Sequence, residues 1–426
     1  MTIRTASNPV ATCCASCHAD VVDAACRICA RKGMASVLCL GRTPLANDFR
    51  PWGAAPSARY PLHVMHCESC GLTQLADSVA PERLFSEYAY FSSASAPVIE
   101  HGLELSRFAL RELDPPTAGF VVDIGSNDGY LLRGYARERF RVLGIDPATN
   151  IAAEARSAGV PTLDAYFSEA VAGRVVAEHG RADLIHANNV LAHVPDVLDF
   201  LRGCRTLLSA GGHLVIEVPY VADLVTKCLF DTIYHEHVYY FSMTSLCRLL
   251  DAAGLRALHV ERNGFHGGSL RVVAGRGFAH ARPSVARLLA AEHAVGVCDS
   301  GYYRDFADQV HRFLNRTRTE LGELAALGNR ISGFGAPAKA TIMMSSAELP
   351  LEYICDSTPY KQDKLLPGTG IPIVAPDRLE TDPTEYCVIF AWNYAESIIA
   401  ANHGYLRRGG TFVKPVDCKL EYVRRA

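Results

Sequence analysis

The 426-residue sequence predicts an α/β protein with two doubly wound, mostly parallel sheets behind a small cysteine-rich domain. Two observations predict the sheets: a strand, a glycine-rich turn and a helix follow one another from residue 119 and again from residue 328, and strands alternate with helices after each turn. The leading domain is predicted by eight of the fifteen cysteines, which lie within the first seventy residues. We therefore expect domains at 1–80, 81–280 and 281–426.

The composition indicates an ordinary globular chain. Charged residues make up 20% of it, and the formal net charge of −3 gives no electrostatic footprint for nucleic acid or a membrane surface. No apolar run approaches the roughly 18 residues of a membrane helix, and the first residues lack the basic-then-apolar pattern of a secretory signal. We expect a cytoplasmic protein that binds neither nucleic acid nor membrane. The sequence leaves its oligomeric state open.

Two CxxC pairs in the first region predict a metal site. Each pair places two thiolates on one turn, and two pairs give the tetrahedral sulfur set that zinc prefers. The predicted ligands are Cys26, Cys29, Cys67 and Cys70. Gly71 permits a tight turn after the second pair, whereas Ala30 follows the first. A third pair, Cys14 and Cys17, is interpreted as part of an N-terminal tail, although a role as metal ligands stays possible as an alternative. Four thiolates leave no free position, so the zinc is expected to be structural.

The seven cysteines beyond residue 70 are scattered singly, and we interpret them as small buried apolar residues. They are Cys204, Cys228, Cys247, Cys298, Cys355, Cys387 and Cys418. Between the cysteine-rich region and the first sheet, residues 97–113 have an amphipathic pattern that predicts a helix.

The first glycine turn predicts a site for S-adenosylmethionine (SAM). The turn has the pattern DxGxNxG, formed by Asp123, Gly125, Asn127 and Gly129, and Asp146 ends the next strand, where a ribose diol is held in such folds. Asp123 suits the ammonium of the SAM amino-acid end, whereas a dinucleotide would bring its pyrophosphate here. The residues thus favour SAM over NAD, with a ligand-free turn as the remaining alternative.

Two groups of polar residues are candidates for chemistry. Asn188, Asn189 and His193 follow the strand ADLIHA at the carboxyl end of the predicted sheet, where ligands bind in open α/β folds. Tyr234, Glu236 and His237 belong to the run YHEHVYYFS, which favours general acid–base chemistry over a metal site, because the HExxH spacing is absent. A polar loop packed on the sheet is the plainer alternative. Upstream, Tyr88 offers a hydroxyl or forms an edge of the core.

The second glycine turn carries Gly333, Gly335 and Lys339, and Asp356 ends the next strand about twenty residues on. Lys339, in the first turn of the predicted helix, could contact a phosphate. The residues alone leave three alternatives open: contact with a nucleotide-linked ligand, a purely structural Rossmann-like domain, or NAD.

At this point the sequence resembles the sugar C-methyltransferases that methylate C3 of nucleotide-linked 4-keto deoxysugars. The resemblance covers nearly the whole chain and includes CRIC, LGRTPLANDF, YPLHVMHCESCGLTQL, PERLFSEYAYFSSAS, VVDIGSNDGYLL, NNVLAHVPD, YHEHVYYFS, NGFHGGSLRV and GFGAPAKATIMM. It implies a class I SAM methyltransferase sheet, a zinc-binding domain before it and a Rossmann-like domain behind it that helps to hold the sugar nucleotide, with dTDP the expected nucleotide.

The resemblance also implies roles for individual residues. His237 matches the general base of the family, and Tyr234 and Glu236 match groups around the same site. Tyr88, Asn189 and His193 match positions that line the sugar pocket.

Two other functions remain as alternatives at this stage. A SAM-dependent O- or N-methyltransferase for another small molecule would need no base beside a ketone. A zinc-ribbon protein that binds nucleic acid is disfavoured by the near-neutral charge and by the intact SAM turn.

Overall fold

The computed structural model describes residues 24–85, 91–277 and 280–425. The strands in chain order are β1 (Ala35–Pro44), β2 (Arg50–Pro51), β3 (Arg59–Cys67), β4 (Leu72–Leu75), β5 (Phe120–Ile124), β6 (Arg141–Asp146), β7 (Thr162–Asp164), β8 (Ala182–Asn188), β9 (Leu208–Pro219), β10 (Tyr239–Tyr240), β11 (Arg256–Asn263), β12 (Ser269–Gly275), β13 (Ile331–Phe334), β14 (Ile354–Cys355), β15 (Lys364–Leu365), β16 (Ile373–Val374), β17 (Tyr386–Ile389), β18 (Thr411–Val416) and β19 (Lys419–Val423).

The helices in chain order are α1 (Glu82–Phe85), α2 (Ala96–Leu113), α3 (Leu132–Arg137), α4 (Thr149–Ser157), α5 (Glu169–His179), α6 (Val197–Leu207), α7 (Val221–Thr226), α8 (Met243–Ala252), α9 (Pro283–Val295), α10 (Ser300–Ala326), α11 (Ala338–Ala347), α12 (Arg378–Thr381), α13 (Ala395–Ala401) and α14 (His403–Arg407). Short 3-10 turns lie at Ser92–Ala94, Phe230–Thr232, Phe265–Gly267, Pro359–Lys361 and Trp392–Tyr394. No helix in these ranges is both long and apolar enough to cross a membrane.

The central sheet has seven strands in the order β7-β6-β5-β8-β9-β12-β11. The first five are parallel, and β12 runs antiparallel to both of its neighbours. Every residue of β5 is buried, as expected for a strand covered on both faces by helices. The chain reverses its winding direction at β5, so the carboxyl ends of β5 and β8 open a crevice, which is where such folds bind ligands.

The C-terminal sheet has six strands in the order β16-β14-β13-β17-β18-β19, parallel except for β19. The 27-residue helix α10 leads into it and buries an apolar stripe that includes Phe306, Val310 and Phe313. The predicted fold class, with two doubly wound sheets behind a cysteine-rich domain, is confirmed. The amphipathic helix expected at 97–113 is α2.

The zinc domain does not close on itself. Its strands β1, β3 and β4 form an antiparallel sheet whose fourth strand is β10, from the middle of the chain. Tyr239 pairs with Gln74 and Tyr240 with Thr73, and the Leu75 N–H donates to the Val238 carbonyl at 2.8 Å. The two-residue strand β2 pairs with β15 of the C-terminal domain. The boundary predicted at residue 80 therefore stays a prediction, since the first domain is completed by later parts of the chain.

One expectation about the single cysteines is wrong. Cys228, just after α7, and Cys418, between β18 and β19, form a disulfide with a sequence separation of 190 residues. It ties the central domain covalently to the C-terminal domain. Neither cysteine has a partner nearby in the sequence, which is why the spacing gave no sign of the pair.

Candidate active site

The turn after β5 packs so closely that its glycines are required. Gly125 and Gly129 have positive φ angles of 70° and 77°. A Cβ at Gly125 would lie 3.0 Å from the Val190 side chain, and one at Gly129 would lie 3.0 Å from Val160. Asn127 also adopts a left-handed conformation, with φ of 50°, which asparagine tolerates better than most residues. The DxGxNxG pattern is thus explained by the backbone it has to form.

Two buried carboxylates face the same turn. Asp146 accepts the backbone N–H groups of Asn127 and Ala148, both at 2.9 Å. Burial raises the pKa of Asp123 well above its ordinary value, and the neighbouring charge of Asp146 raises it further. Burial also raises the pKa of Asp146. A cation bound beside Asp123 would offset both effects, and SAM carries two positive groups, so the residues present fit this ligand.

The end of β8 adds unpaired polar atoms to the same crevice. Both side-chain polar atoms of Asn188, and the Oδ1 atom of Asn189, are buried without a hydrogen-bond partner in the described part of the chain. Asn189 is held in a left-handed conformation, with φ of 54°, while its N–H donates to the Glu217 carbonyl at 2.7 Å. A buried amide left unpaired costs about 1–3 kcal/mol, so these atoms point to a polar ligand.

The segment before α2 covers the turn. The Ser92 N–H donates to Oδ1 of Asn127 at 2.8 Å, and the Ser93 N–H donates to Oδ2 of Asp128 at 3.0 Å. Tyr88 precedes this segment and lies outside the described residues, so its predicted place in the sugar pocket stays a prediction.

His237 lies in the turn before β10 with its tautomer fixed. Its Nδ1 donates to the Thr232 carbonyl at 2.7 Å, which leaves Nε2 with the lone pair. That Nε2 accepts the Tyr234 hydroxyl at 3.0 Å, and the two rings pack with centroids 4.1 Å apart. The only proton-accepting ring atom of His237 is thus already aimed at a hydroxyl group.

His193 connects His237 to the crevice. The centroid of its ring lies 4.9 Å from that of the His237 ring. The backbone N–H of His193 donates to the carbonyl of Val190, the residue that packs on Gly125. Burial lowers the pKa of His237 to about 3 and that of His193 to about 4. Both rings are therefore neutral at ordinary pH, and both belong to a continuous path of contacts from the glycine turn to Tyr234.

The other two residues of the YHEH run face the zinc domain. Glu236 is 3% exposed, and its Oε1 accepts the Asn47 side-chain amide at 2.6 Å. Burial raises the pKa of Glu236 to about 7, with the Asn47 hydrogen bond acting in the opposite direction. His235 donates from Nε2 to the Pro61 carbonyl at 3.1 Å. Tyr234 and His237 therefore share one side of the turn, and His235 and Glu236 lie against the zinc domain.

The C-terminal domain contributes a cation to the edge of this site. The Lys339 ammonium lies 3.6 Å from the centroid of the Trp392 ring, and the Trp392 indole N–H donates to Asp231 at 2.6 Å. His266, next to the Phe265 ring, adopts a left-handed conformation with φ of 52°, and burial lowers the pKa of its ring to about 4. An interdomain cavity of about 100 Å³ is lined by residues that include Asp231 and Trp392.

The second glycine turn is closed by its own residues. Asp356 accepts the Ala336 N–H at 2.7 Å and the Thr358 N–H at 2.8 Å, and it pairs with the Lys361 ammonium at 3.4 Å. Lys361 also donates to the Ala336 carbonyl at 3.0 Å. Asp146 accepts two backbone N–H groups in the same way, so the Lys361 ion pair is what sets Asp356 apart from a carboxylate that is available to a ribose, and this ion pair disfavours NAD.

The metal site is assembled as predicted. The sulfur atoms of Cys26, Cys29, Cys67 and Cys70 all lie within 4.8 Å of one another. Four thiolates at this spacing fit one tetrahedral zinc ion and leave it no open position. Ala30 adopts a positive φ of 57°, the conformation in which Gly71 sits after the second pair. The knuckle therefore forms with alanine in a position that favours glycine.

Three contributors to the site escaped the sequence analysis. Asn47 lies within LGRTPLANDF and His266 within NGFHGGSLRV, so both belong to motifs that carried the family resemblance without a role attached. Glu217, near the end of β9, is fully buried, and its carboxylate accepts hydrogen bonds from His101, Asn263 and Arg271. Its position opposite Asn188 in the parallel ladder follows from the sheet register alone.

Comparison with known families matches all three regions of the chain. Residues 26–85 match a zinc binding domain, residues 100–260 a methyltransferase domain, and residues 264–417 a C-methyltransferase C-terminal domain. The C-methyltransferase NovU of Streptomyces niveus is 35% identical over 398 residues, which cover 92% of this chain and 95% of NovU.

More distant matches are confined to part of the chain. A ubiquinone biosynthesis O-methyltransferase of Serratia proteamaculans is 27% identical over 159 residues, which cover 33% of this chain and 63% of that protein. The solved CcbJ methyltransferase of Streptomyces caelestis is 15% identical, covers 47% of this chain and 97% of its own, and has a TM-score of 0.35.

The sheet order, the glycine turn and the match to a methyltransferase domain define a class I SAM-dependent methyltransferase with a zinc-binding domain. The match to NovU extends along almost the full length of both chains and defines the family within this class. The chain belongs to the C-methyltransferase family, and it transfers the methyl group of SAM to carbon.

Proposed function

We propose that the protein methylates C3 of a nucleotide-linked 4-keto deoxysugar, with dTDP as the nucleotide, through a base-generated enolate. The observation that carries the proposal is the fixed tautomer of His237, whose Nε2 lone pair lies beside a hydroxyl donor and next to the crevice of the SAM turn. The carbon next to a ketone becomes a strong nucleophile once its proton has been removed, so a C-methyltransferase of this kind needs a base in that place.

In this proposal His237 removes the C3 proton. The Thr232 carbonyl keeps the proton on Nδ1 and supports the imidazolium that forms when Nε2 accepts a second one. The low pKa of the free enzyme keeps Nε2 unprotonated before substrate binds. The negative charge that develops on the sugar raises the proton affinity of the ring during the step.

Tyr234 is proposed to stabilise the enolate. Its hydroxyl donates to Nε2 of His237 in the free protein. When the sugar binds, its C3–H would take the place of this hydroxyl as the partner of Nε2. The released hydroxyl can then donate to O4, where the charge develops. A preorganised donor at such a position is worth about 3 kcal/mol in the transition state.

The crevice at β5 and β8 is proposed to hold SAM. Asp123 would face a positive group of the ligand, Asp146 would accept from its ribose, and the unpaired atoms of Asn188 would bind its polar end. SAM supplies an electrophilic methyl group on sulfur. His193 and Asn189 then lie between the two ligands and are proposed to orient the sugar.

The nucleotide is proposed to lie against the C-terminal domain. Lys339 stacks on Trp392, whose indole donates to Asp231, six residues before His237. It stands in the first turn of α11, where phosphates bind favourably. The ion pair between Lys361 and Asp356 disfavours NAD at this edge.

The test is proton exchange at C3, measured apart from methyl transfer. The protein is incubated with a dTDP-4-keto-deoxyhexose in deuterated buffer, without and with SAM, and the product is analysed by proton NMR and mass spectrometry. We expect exchange at C3 without SAM and a gain of one methyl group with it. His237→Ala should lower the exchange rate by at least about 100-fold.

His235→Ala is the matched control, because it removes a histidine of the same turn that contacts the zinc domain instead of the site. It should leave exchange within a few-fold of the wild type. Exchange that survives His237→Ala removes this residue as the base. No exchange and no methyl gain with the wild type, while SAM binds by calorimetry, overturns the proposed substrate.

A further inference from the structure

We propose that Asn47 of the zinc domain is a positioning residue of the active site, which holds the Glu236 side chain as a carboxylate. The inference rests on the proposed function. The Glu236 side chain faces the zinc domain, so its charge acts on the reaction through its chain neighbour His237, the proposed base, and through His193, whose ring contacts the Glu236 backbone. A carboxylate beside His237 stabilises the imidazolium that forms when the base takes up the C3 proton. The inference gives the zinc domain a part in the reaction beyond the binding of its metal.

The contact joins distant parts of the chain. Asn47 and Glu236 are 189 residues apart, and the Asn47 amide donates to Oε1 of Glu236 at 2.6 Å. Glu236 is 3% exposed, whereas Asn47 is exposed. The buried carboxylate is therefore bounded on its zinc-domain side by an amide that solvent, or a ligand in the cleft, can reach.

The loop that carries Asn47 is fixed from both ends. The Thr341 hydroxyl of α11 donates to the Ala46 carbonyl at 3.0 Å. After the loop, β2 pairs with β15, and before it Pro44 packs so closely on Gly368 that a Cβ there would lie 2.6 Å away. Asn47 is thus held rigidly on both sides, as an effective positioning residue must be.

The chemistry of the contact favours the ionised form of Glu236. An amide N–H can only donate, and a carboxylate accepts more strongly than a carboxylic acid does. Burial acts in the other direction. The other titratable groups around Glu236 are His235 and His237 of its own turn and His193, whose ring contacts the Glu236 backbone. Asp48 and Arg50, which follow Asn47 in the loop, pair with each other at 2.9 Å.

The test compares Asn47→Ala and Asn47→Asp with the wild type over pH 5–9, using the full-length zinc-loaded protein. In the pH–rate profile of C3 exchange, the rate falls on the acid side, and we call this part the acid limb. Loss of the amide should shift the acid limb upward by about one pH unit. The rate then falls about tenfold at pH 6 and less than twofold at pH 9. Asn47→Asp places a second carboxylate there and should shift the limb further. Asp48→Ala, in the same loop, is the control and should leave the limb in place.

A second readout needs no substrate. The stability loss caused by Asn47→Ala, measured by urea unfolding, should grow as the pH rises from 5 to 8, because the lost hydrogen bond is strongest to the ionised carboxyl. In a Glu236→Gln background the loss should not vary with pH. A role in folding alone predicts a loss independent of pH in both backgrounds.

The outcomes separate this inference from the proposed function. A pH-dependent stability loss without C3 exchange in any variant keeps the Asn47–Glu236 contact and overturns the substrate, and with it the catalytic part of the inference. Exchange with an acid limb that Asn47→Ala does not move overturns the positioning role and leaves the proposed function standing.

Discussion

His237 is buried as a neutral base, and this predicts how the protein responds to acid. Its pKa is lowered from 6.5 to about 3, mainly by burial. A base whose folded-state pKa is depressed favours folding above the unfolded pKa and costs stability below it. The cost is therefore absent at pH 8, begins near pH 6.5 and grows as the pH falls towards 3.

The magnitude at pH 5 follows from these values. The pH is then about 1.5 units below the unfolded pKa, while the folded ring is still neutral, so His237 alone costs about 2 kcal/mol. His193, with a pKa of about 4, adds a similar cost. Glu236 has the opposite sign: its pKa is raised to about 7, so its ionisation costs stability as the pH rises from 4.5 towards 7.

The assay is urea unfolding followed by circular dichroism at pH 5 and pH 8. His237→Asn keeps a donor for the Thr232 carbonyl and removes the titration, so the difference in stability between the two pH values should shrink by about 2 kcal/mol. His179→Asn, at an exposed position of α5, is the control and should leave the difference unchanged. An unchanged difference in His237→Asn would show that the ring is not buried as a neutral base.

Three further predictions concern other parts of the molecule. Asp123→Asn should weaken SAM binding by calorimetry about 30-fold or more while raising the stability of the ligand-free protein at pH 8, since a buried carboxylate is removed; equal affinity would contradict its role. Replacing Cys228 and Cys418 together by serine should lower the unfolding free energy by up to about 5 kcal/mol for a 190-residue separation, and thiol titration should find two fewer reducible sulfurs. Ala30→Gly should stabilise the zinc knuckle by about 1 kcal/mol, with a lower rate of zinc release to a chelator; a faster release would refute the strain argument.

The parts of the fold that could be predicted from sequence are those encoded over short distances. The turn at Asp123–Gly129 and the two cysteine knuckles each lie within a few residues, and backbone conformation and ligand geometry restrict which residues can stand there. The family resemblance added a role for His237, but the Thr232 carbonyl that fixes its tautomer is visible only in the folded chain.

The contacts between domains could not be predicted, because they join residues that no local pattern connects. The Asn47–Glu236 hydrogen bond spans 189 residues and the Cys228–Cys418 bond 190. The two-residue strand β10 is too short to produce a periodic signal and gains its structure from pairing with β4. Such pairings are decided by packing of the whole chain.

The shared sheet formed by β4 and β10 has a consequence for making chimaeras within the family. An exchange of the first eighty residues would pair a foreign β4 with the native Tyr239–Tyr240 strand, directly behind His237. An exchange of the C-terminal domain would likewise break the match between β2 and β15 and leave Cys228 without Cys418. Recombinants that carry these partner segments together should keep their activity more often than those cut at the apparent domain borders.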